Sequence, residues 1–239
     1  MTKWLASVQS LSEAQTLLPA LPDILDMKDP SKGALGALSV EIVAEIVALI
    51  NGRCQTSATI GDLPMQAGII SSAMNAMASS GVDYVKIGLF PDTNLSACIT
   101  ELEATVKQLG TPVIAVIFAD KPPSHDYLNL LKASGFYGVM VDTAIKNGHH
   151  LLDHWSATRL TNFVKDVHKQ AMLCGLAGAL RTEDIATLQP LGADYLGFRS
   201  ALCEKRKRTS SLQLNLAEHI KQSISPDDSI LLASEATAA

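Results

Sequence analysis

The feature that most constrains the fold is a regular alternation of short apolar runs with longer amphipathic segments. Eight runs read as β-strands, at residues 4–8, 24–28, 56–61, 84–88, 113–119, 138–142, 173–177 and 195–198. Helical spacing or helix-capping signals follow each run, and the run at 113–119 is apolar throughout, as in a strand buried on both faces. The alternation predicts one α/β domain, a (β/α)8 or TIM barrel over residues 1–225, with a C-terminal tail at 226–239.

The segments between the runs supply eight helices. We predict them at residues 12–18, 40–50, 71–80, 93–109, 125–134, 156–171, after the cap Thr182, and at 212–224. The alternative is an open, doubly wound sheet. Such sheets that bind dinucleotides carry a glycine fingerprint after the first strand, and no GxGxxG occurs here. The barrel is therefore the better prediction.

Composition excludes several classes of protein. The 239 residues are 47% hydrophobic and carry a net charge of -5, which supports a large aliphatic core and disfavours a nucleic-acid partner. The four cysteines are far apart, and no apolar run is long enough to cross a bilayer. The opening residues also lack a long apolar segment. We expect a cytoplasmic protein without a membrane partner, and a barrel of this size is compatible with a homo-oligomer.

Polar and charged residues recur where the apolar runs end. In a (β/α)8 barrel those ends meet at the face that carries the active site. Three lysines lie at or just after such ends: Lys28, Lys86 and Lys146. An amine near other ammonium groups loses its proton more easily, and a neutral amine can attack a carbonyl to form a Schiff base. Asp142 lies close to Lys146 in sequence and could move protons.

Each lysine also has a simpler interpretation. Lys28 could be a strand-end residue paired with Asp26 or Asp29, and Lys146 could be an exposed loop residue. The recurrence of lysine at three strand ends favours one shared pocket. We therefore predict Lys28, Lys86, Asp142 and Lys146 as the catalytic residues.

Two glycine-containing regions are candidate phosphate sites. Barrels often bind phosphate at the loops after strands seven and eight, which here contain Gly178 and the segment 197–200. A second anion site is predicted at 32–36, although Gly178 could be a tight turn and 32–36 a connecting loop. The full substrate- and phosphate-binding prediction is Asp26, Lys32, Gly33, Gly36, Thr59, Asp120, Gly178, Gly197, Arg199 and Ser200.

Two further clusters are interpreted as non-functional. The basic run 205–208 is short and lies in a loop, which is typical of a solvated linker. His149, His150 and His154 lie in a polar loop without carboxylate or cysteine partners at ligand spacing. We predict no metal ion and no organic cofactor.

Five motifs together resemble a known family. They are DMKDP with GALG (26–30 and 33–36), SATIGD (57–62), DYVKIGL (83–89), DTAIKNG (142–148) and LAG (176–178). In this order they resemble the (5-formylfuran-3-yl)methyl phosphate synthases of methanofuran biosynthesis, from about residue 5 to residue 203. The chain departs from the family at 204–211, where a glycine-rich loop is expected, and from 226 onward.

The resemblance implies an activity and roles for the lysines. That family consists of TIM-barrel lyases that condense two molecules of glyceraldehyde 3-phosphate, with loss of phosphate and water, for a cofactor of one-carbon metabolism. It implies Lys28 as the Schiff-base lysine, with Lys86, Lys146 and Asp142 as acid-base or charge-stabilising partners. The alternatives are another Schiff-base phosphosugar aldolase and a non-catalytic protein that binds phosphometabolites.

Overall fold

The eight strands close into a parallel barrel whose order follows the sequence. The computed structural model describes residues 2–123, 127–145 and 147–224. The strands are β1 (Lys3–Val8), β2 (Ile24–Met27), β3 (Gln55–Thr59), β4 (Tyr84–Gly88), β5 (Val113–Phe118), β6 (Gly138–Asp142), β7 (Leu173–Leu176) and β8 (Tyr195–Phe198). Because β1 pairs with both β2 and β8, the ring is closed. The predicted (β/α)8 barrel is confirmed.

Helices follow the strands and cover the outside of the barrel. They are α1 (Leu11–Thr16), α2 (Val40–Ile50), α3 (Ala67–Ala78), α4 (Leu95–Glu101), α5 (Glu103–Gln108), α6 (Leu128–Ala133), α7 (Leu151–His154), α8 (Ala157–Lys169), α9 (Ile185–Leu188) and α10 (Leu214–Ile224). Short 3-10 turns occur at Leu18–Ala20, Pro30–Lys32, Thr182–Asp184, Gln189–Leu191, Ser200–Leu202 and Glu204–Arg206.

Three helices differ from the prediction. The segment expected to form one helix at 93–109 is divided at Leu102, which ends α4 and begins α5. Helix α3 begins at Ala67, one turn before the predicted start. The loop expected to hold three histidines contains the short helix α7. The start of the helix predicted at 125–134 and the tail at 226–239 lie outside the described residues.

Two apolar layers stabilise the barrel. The outer layer lies between strands and helices, and α8 contributes the buried residues Leu160, Val164 and Val167 to it. The inner layer lies inside the barrel and includes Ile114, Phe118, Met140 and Tyr195. These apolar side chains fill the interior together with buried polar side chains, so the barrel is a packed core and not a pore.

One close contact shows how tightly the interior is packed. A Cβ placed on Gly175 would lie 2.4 Å from the ring of Tyr195. Only glycine at this position of β7 leaves room for the tyrosine on the neighbouring strand β8.

Across the described ranges, no helix has both the length and the apolar character needed to cross a membrane.

Candidate active site

A buried polar layer crosses the barrel below its carboxyl-terminal face. The strand register places Ser7, Asp26 and Ser57 side by side on β1, β2 and β3. Asp26 is fully buried and accepts hydrogen bonds from Ser7 Oγ at 2.9 Å and Ser57 Oγ at 2.7 Å. Lys86 Nζ on β4 lies 2.9 Å from Asp26 Oδ1. Three donors therefore converge on one carboxylate.

The charges of this layer are set by burial and by each other. Burial lowers the pKa of Lys86, while the adjacent Asp26 carboxylate opposes that shift. Burial alone would raise the pKa of Asp26, but the ammonium groups of Lys86 and Lys28 and the hydrogen bonds hold that pKa below its ordinary value. Asp26 is consequently a negatively charged carboxylate inside the barrel at neutral pH.

A second lysine–carboxylate pair lies nearer the opening. Lys28 follows the last residue of β2, and its backbone N–H continues the pairing with β1 by donating to the Val8 carbonyl at 3.0 Å. Its Nζ lies 3.7 Å from Oδ2 of Asp142, the last residue of β6. Since β2 and β6 stand on opposite sides of the ring, the lysine side chain reaches across the barrel.

A cavity of about 450 Å³ opens above this second pair. Lys28, Asp142 and Ser7 are among its lining residues, whereas Lys86 is not. A cavity of this size suits a small-molecule ligand. Of the two predicted catalytic lysines that the structure describes, Lys28 is therefore the one that a ligand in this cavity can contact, and Lys86 lies beneath it. The fourth predicted catalytic residue, Lys146, lies outside the described residues.

Loops after β7 and β8 form one wall of the cavity. Gly178, Gly197 and Ser200 all line it. Gly178 has φ +113°, and a Cβ there would lie 3.0 Å from the Thr143 side chain, so a larger residue would be strained. None of the described residues accepts a hydrogen bond from the backbone N–H of Gly178 or Ala179. Phosphate binding by Gly178, Gly197 and Ser200 stays a prediction.

The second predicted anion site has a different role in the structure. Asp62 lies in the loop after β3, and its carboxylate accepts hydrogen bonds from two backbone N–H groups of the loop after β2, those of Ala34 at 2.9 Å and Leu35 at 2.8 Å. A Cβ on Gly33 would meet that carboxylate at 2.1 Å. Two of the amides expected to bind phosphate are thus already satisfied by an internal anion, and the prediction of an anion site at 32–36 is corrected.

Other residues predicted to bind substrate also stabilise the loop after β2. Lys32 is largely exposed and pairs with Asp29 at 3.1 Å. Thr59 Oγ1 donates to the Gly36 carbonyl at 3.0 Å. Lys32, Gly33, Gly36 and Thr59 do not line the cavity. They shape the loop that follows Lys28, and their predicted contact with substrate is not supported.

Asp120, predicted to bind substrate, instead fixes the loop after β6. Its two carboxylate oxygens accept the backbone N–H groups of Ala144 at 2.8 Å and Ile145 at 2.6 Å. Asp120 does not line the cavity. It resembles Asp62 in this respect, because each carboxylate closes a loop by binding two consecutive amides.

The Arg199 side chain lines the cavity but has no donor left for a phosphate. Its guanidinium forms a buried ion pair with Glu13 of α1, with Nη2 3.1 Å from Oε1. The remaining N–H groups donate to the carbonyls of Ser7, Arg208 and Ser210. With five donors engaged, the predicted bidentate phosphate contact is replaced by a structural one.

The basic run interpreted as a solvated linker lies at the cavity. Arg206, Lys207 and Arg208 all line it, together with Arg181 from the loop after β7. Arg208 Nη2 donates to the carbonyls of Pro30 and Gly33, the second at 2.7 Å, which joins this segment to the loop after β2. The run 205–208 lies in the loop that follows β8, and this position in the sequence could have identified it as part of the cavity wall.

The histidines of the loop after β6 are held by carboxylates. His150 is buried, and its Nδ1 lies 3.0 Å from Asp184. His149 lies 3.5 Å from Asp153 and also lines the cavity. Within the described ranges, no group of three or more histidine, cysteine or acidic residues is arranged to hold a metal ion.

Comparison with known proteins identifies the family. The sequence matches the family described as 4-HFC-P synthase over residues 4–221. The chain belongs to the 4-HFC-P synthase family. This confirms the resemblance drawn from the five motifs, and it places the protein among enzymes.

Relatives in this family cover most of the chain. The chain is 40% identical to a protein of Methylorubrum extorquens over 87% of this chain and 85% of the relative. It is 34% identical to the (5-formylfuran-3-yl)methyl phosphate synthase of Methanococcus maripaludis, over 90% and 96% of the two chains. The enzyme of the same name from Methanopyrus kandleri is 33% identical, over 85% and 90%.

Solved structures share the barrel at low sequence identity. Phosphoribosyl anthranilate isomerase from Thermus thermophilus has a TM-score of 0.66 at 12% identity, over 93% of this chain and 98% of that one. A 3-hexulose-6-phosphate synthase has a TM-score of 0.64 at 15% identity, over 93% and 100%. At this level of identity the likeness shows the fold alone.

Proposed function

We propose that this enzyme condenses two molecules of glyceraldehyde 3-phosphate to (5-formylfuran-3-yl)methyl phosphate through a Schiff base on Lys28. The observation that carries the proposal is the position of Lys28 Nζ at the base of the cavity, 3.7 Å from Asp142 Oδ2. Atom balance for the condensation requires loss of one phosphate and two water molecules. The product serves the synthesis of methanofuran-type cofactors.

Lys28 supplies the reactive amine. Its neutral Nζ attacks the aldehyde carbon of the first triose phosphate, and loss of water gives an iminium. The iminium makes the adjacent C–H group acidic, and removal of that proton gives an enamine. The enamine carbon then attacks the aldehyde of the second triose phosphate, which forms the new carbon–carbon bond.

Asp142 is placed to move the protons of these steps. Its carboxylate is almost fully buried and lies on the opposite strand from Lys28, facing it across the cavity floor. A carboxylate at this distance can accept the proton that leaves the amine and return it to a departing hydroxyl. The eliminations that make the ring aromatic need this kind of general acid-base group.

The Lys86–Asp26 pair supports Lys28 from below. Lys86 does not line the cavity, and Asp26 is fully buried, so neither reaches a ligand there directly. Together with Ser7 and Ser57 they form a hydrogen-bonded base for the site. We assign Lys86 and Asp26 to positioning and charge balance.

Absorbance spectroscopy tests the reaction. The purified enzyme is incubated with glyceraldehyde 3-phosphate alone, and formation of a conjugated furan aldehyde is followed by its ultraviolet absorbance and by mass spectrometry. Wild-type protein is expected to give the chromophore with release of inorganic phosphate. A phosphorylated sugar without the chromophore would indicate a phosphosugar aldolase, and no turnover at all would contradict the proposal.

A lysine outside the cavity provides the matched control. Lys28→Arg keeps a positive charge but cannot form a Schiff base, because a guanidinium stays protonated. We expect it to abolish the chromophore, whereas Lys32→Arg leaves the rate unchanged, since Lys32 is exposed and lies away from the cavity. Retained synthesis by Lys28→Arg would exclude Lys28 as the nucleophile.

A further inference from the structure

The lining of the cavity carries far more positive charge than the rest of the molecule. The chain as a whole has a net charge of -5. Among the described lining residues, Asp142 is the single carboxylate, while the cations are Lys28, Arg181, Arg199, Arg206, Lys207 and Arg208. Arg199 is neutralised by Glu13, and the others leave a net positive cavity. Such a field concentrates anionic ligands.

The segment that supplies three of these cations is fixed in place. Arg208 donates to the carbonyls of Pro30 and Gly33, and Arg199 Nε donates to the carbonyl of Arg208 at 2.7 Å. The segment thus spans from the end of β8 to the loop after β2. It lies on the opposite side of β8 from the Gly178 loop, so the two regions approach the cavity from different directions.

Arg206 and Lys207 differ from their anchored neighbour. Arg208 is used to hold the segment, whereas the side chains of Arg206 and Lys207 have no hydrogen-bond or ion-pair partner among the described residues. Both side chains line the cavity, so their charges are available to a ligand there.

We propose that Arg206 and Lys207 form a second phosphate subsite, which holds the phosphate of the second triose phosphate while the first is attached to Lys28. This inference rests on the proposed condensation, in which two phosphorylated substrates occupy one cavity together. The Gly178 and Gly197–Ser200 loops serve one phosphate through backbone N–H groups. Arg206 supplies a bidentate contact to the other phosphate, and Lys207 supplies a point charge.

Kinetics with a neutralised pair tests the subsite. The variant Arg206→Gln with Lys207→Gln is compared with Lys205→Gln, which removes the same kind of charge from the adjacent residue that does not line the cavity. We expect the KM for glyceraldehyde 3-phosphate to rise about tenfold or more in the double variant. We expect Lys205→Gln to change this KM by less than about twofold. Equal effects of the two variants, or an unchanged KM in the double variant, would overturn the subsite.

Two further measurements separate this inference from the proposed reaction. Calorimetric titration with inorganic phosphate alone is expected to give two sites per chain in the wild type and one in the double variant. One site in both proteins would contradict the subsite even if the wild type makes the furan. If the double variant loses one of the two phosphate sites but the wild type makes no furan, the subsite is supported and the proposed reaction is refuted.

Borohydride trapping provides the check on folding and on the first step. Because Arg206 and Lys207 are exposed, the double variant is expected to keep the trapped triose adduct at Lys28 at the wild-type level. A charge-retaining variant, Arg206→Lys with Lys207→Arg, is expected to recover most of the lost affinity for phosphate. Failure of that recovery, with the adduct intact, would show that the charges do not form the subsite.

Discussion

Two lysine–aspartate pairs stand one above the other in this barrel, and they differ in access. Lys86 and Asp26 are 2.9 Å apart with side chains that are 2% and 0% exposed. Lys28 and Asp142 are 3.7 Å apart with side chains that are 11% and 4% exposed, and both line the cavity. The same two residue types therefore make a sealed pair in the interior and an accessible pair that faces the cavity.

The difference follows from which strand position each lysine occupies. Lys86 is the third of five residues of β4, so its side chain enters the barrel below the rim. Lys28 lies one residue beyond the end of β2, so its side chain begins at the rim. A buried lysine needs a fixed counter-charge, whereas a nucleophilic lysine needs access to a carbonyl and a partner that can take its proton.

Breaking the sealed pair should have the largest effect on stability. Asp26→Leu leaves the Lys86 ammonium and two hydroxyl groups without their acceptor, and we expect it to destabilise the fold by about 3–5 kcal/mol. Asp26→Leu combined with Lys86→Met removes both charges and should recover much of that loss. Urea unfolding of the three proteins gives the comparison, and a double variant no more stable than the single one would contradict the sealed-pair account.

Breaking the accessible pair should affect turnover and leave stability nearly unchanged. Asp142→Asn keeps the shape of the side chain but removes its capacity to accept a proton. We expect kcat to fall about a hundredfold, which corresponds to about 2.7 kcal/mol of activation free energy. If this variant lost stability as much as Asp26→Leu while retaining its turnover, the roles of the two carboxylates would be reversed.

The sealed pair should also make stability depend on acidic pH. The folded state holds the pKa of Asp26 below its ordinary value of 3.8. The unfolded chain therefore takes up this proton first as the pH falls, and stability is lost as the pH passes through the folded pKa. This group contributes at most about 1.4 kcal/mol per pH unit. Asp26→Leu with Lys86→Met should show a shallower loss below pH 3.8, and identical slopes would exclude the contribution.

A third pair, at the surface, sets the lower limit of the comparison. Lys32 pairs with Asp29 at 3.1 Å, but the lysine side chain is 65% exposed. Exposed ion pairs contribute about 0–1 kcal/mol. We expect Lys32→Met to change the free energy of unfolding by less than about 0.5 kcal/mol, with no change in kcat. A change as large as that of Asp26→Leu would mean that burial does not distinguish the pairs.

The sequence was sufficient to predict the fold and to select two residues that the structure brings together at the cavity. The alternation of strand-like and helix-like segments determined the barrel, and Lys28 and Asp142 were recognised because each lies at a strand end. Lys86 was also predicted as catalytic, but Ile87 and Gly88 follow it within β4, which lowers its side chain into the interior. Counting residues to the end of the strand would have separated the two lysines.

Other features depend on contacts that sequence spacing does not reveal. The partner of Arg199 is Glu13, 186 residues away, and this pairing turns a predicted phosphate ligand into a structural residue. Asp62 fills the loop at 33–36 in the same way. Conversely, the run 205–208 has the composition of a linker. Hydrogen bonds from Arg208 to the loop after β2 and from Arg199 to the Arg208 carbonyl hold it at the cavity, and sequence spacing does not reveal them.

Borohydride trapping shows most directly which lysine carries the carbon skeleton. The enzyme is treated with glyceraldehyde 3-phosphate and borohydride, digested, and mapped by mass spectrometry. We expect a reduced triose adduct on the peptide that holds Lys28 and none on the peptide that holds Lys86. An adduct on Lys86 would contradict the distinction between the sealed and the accessible pair.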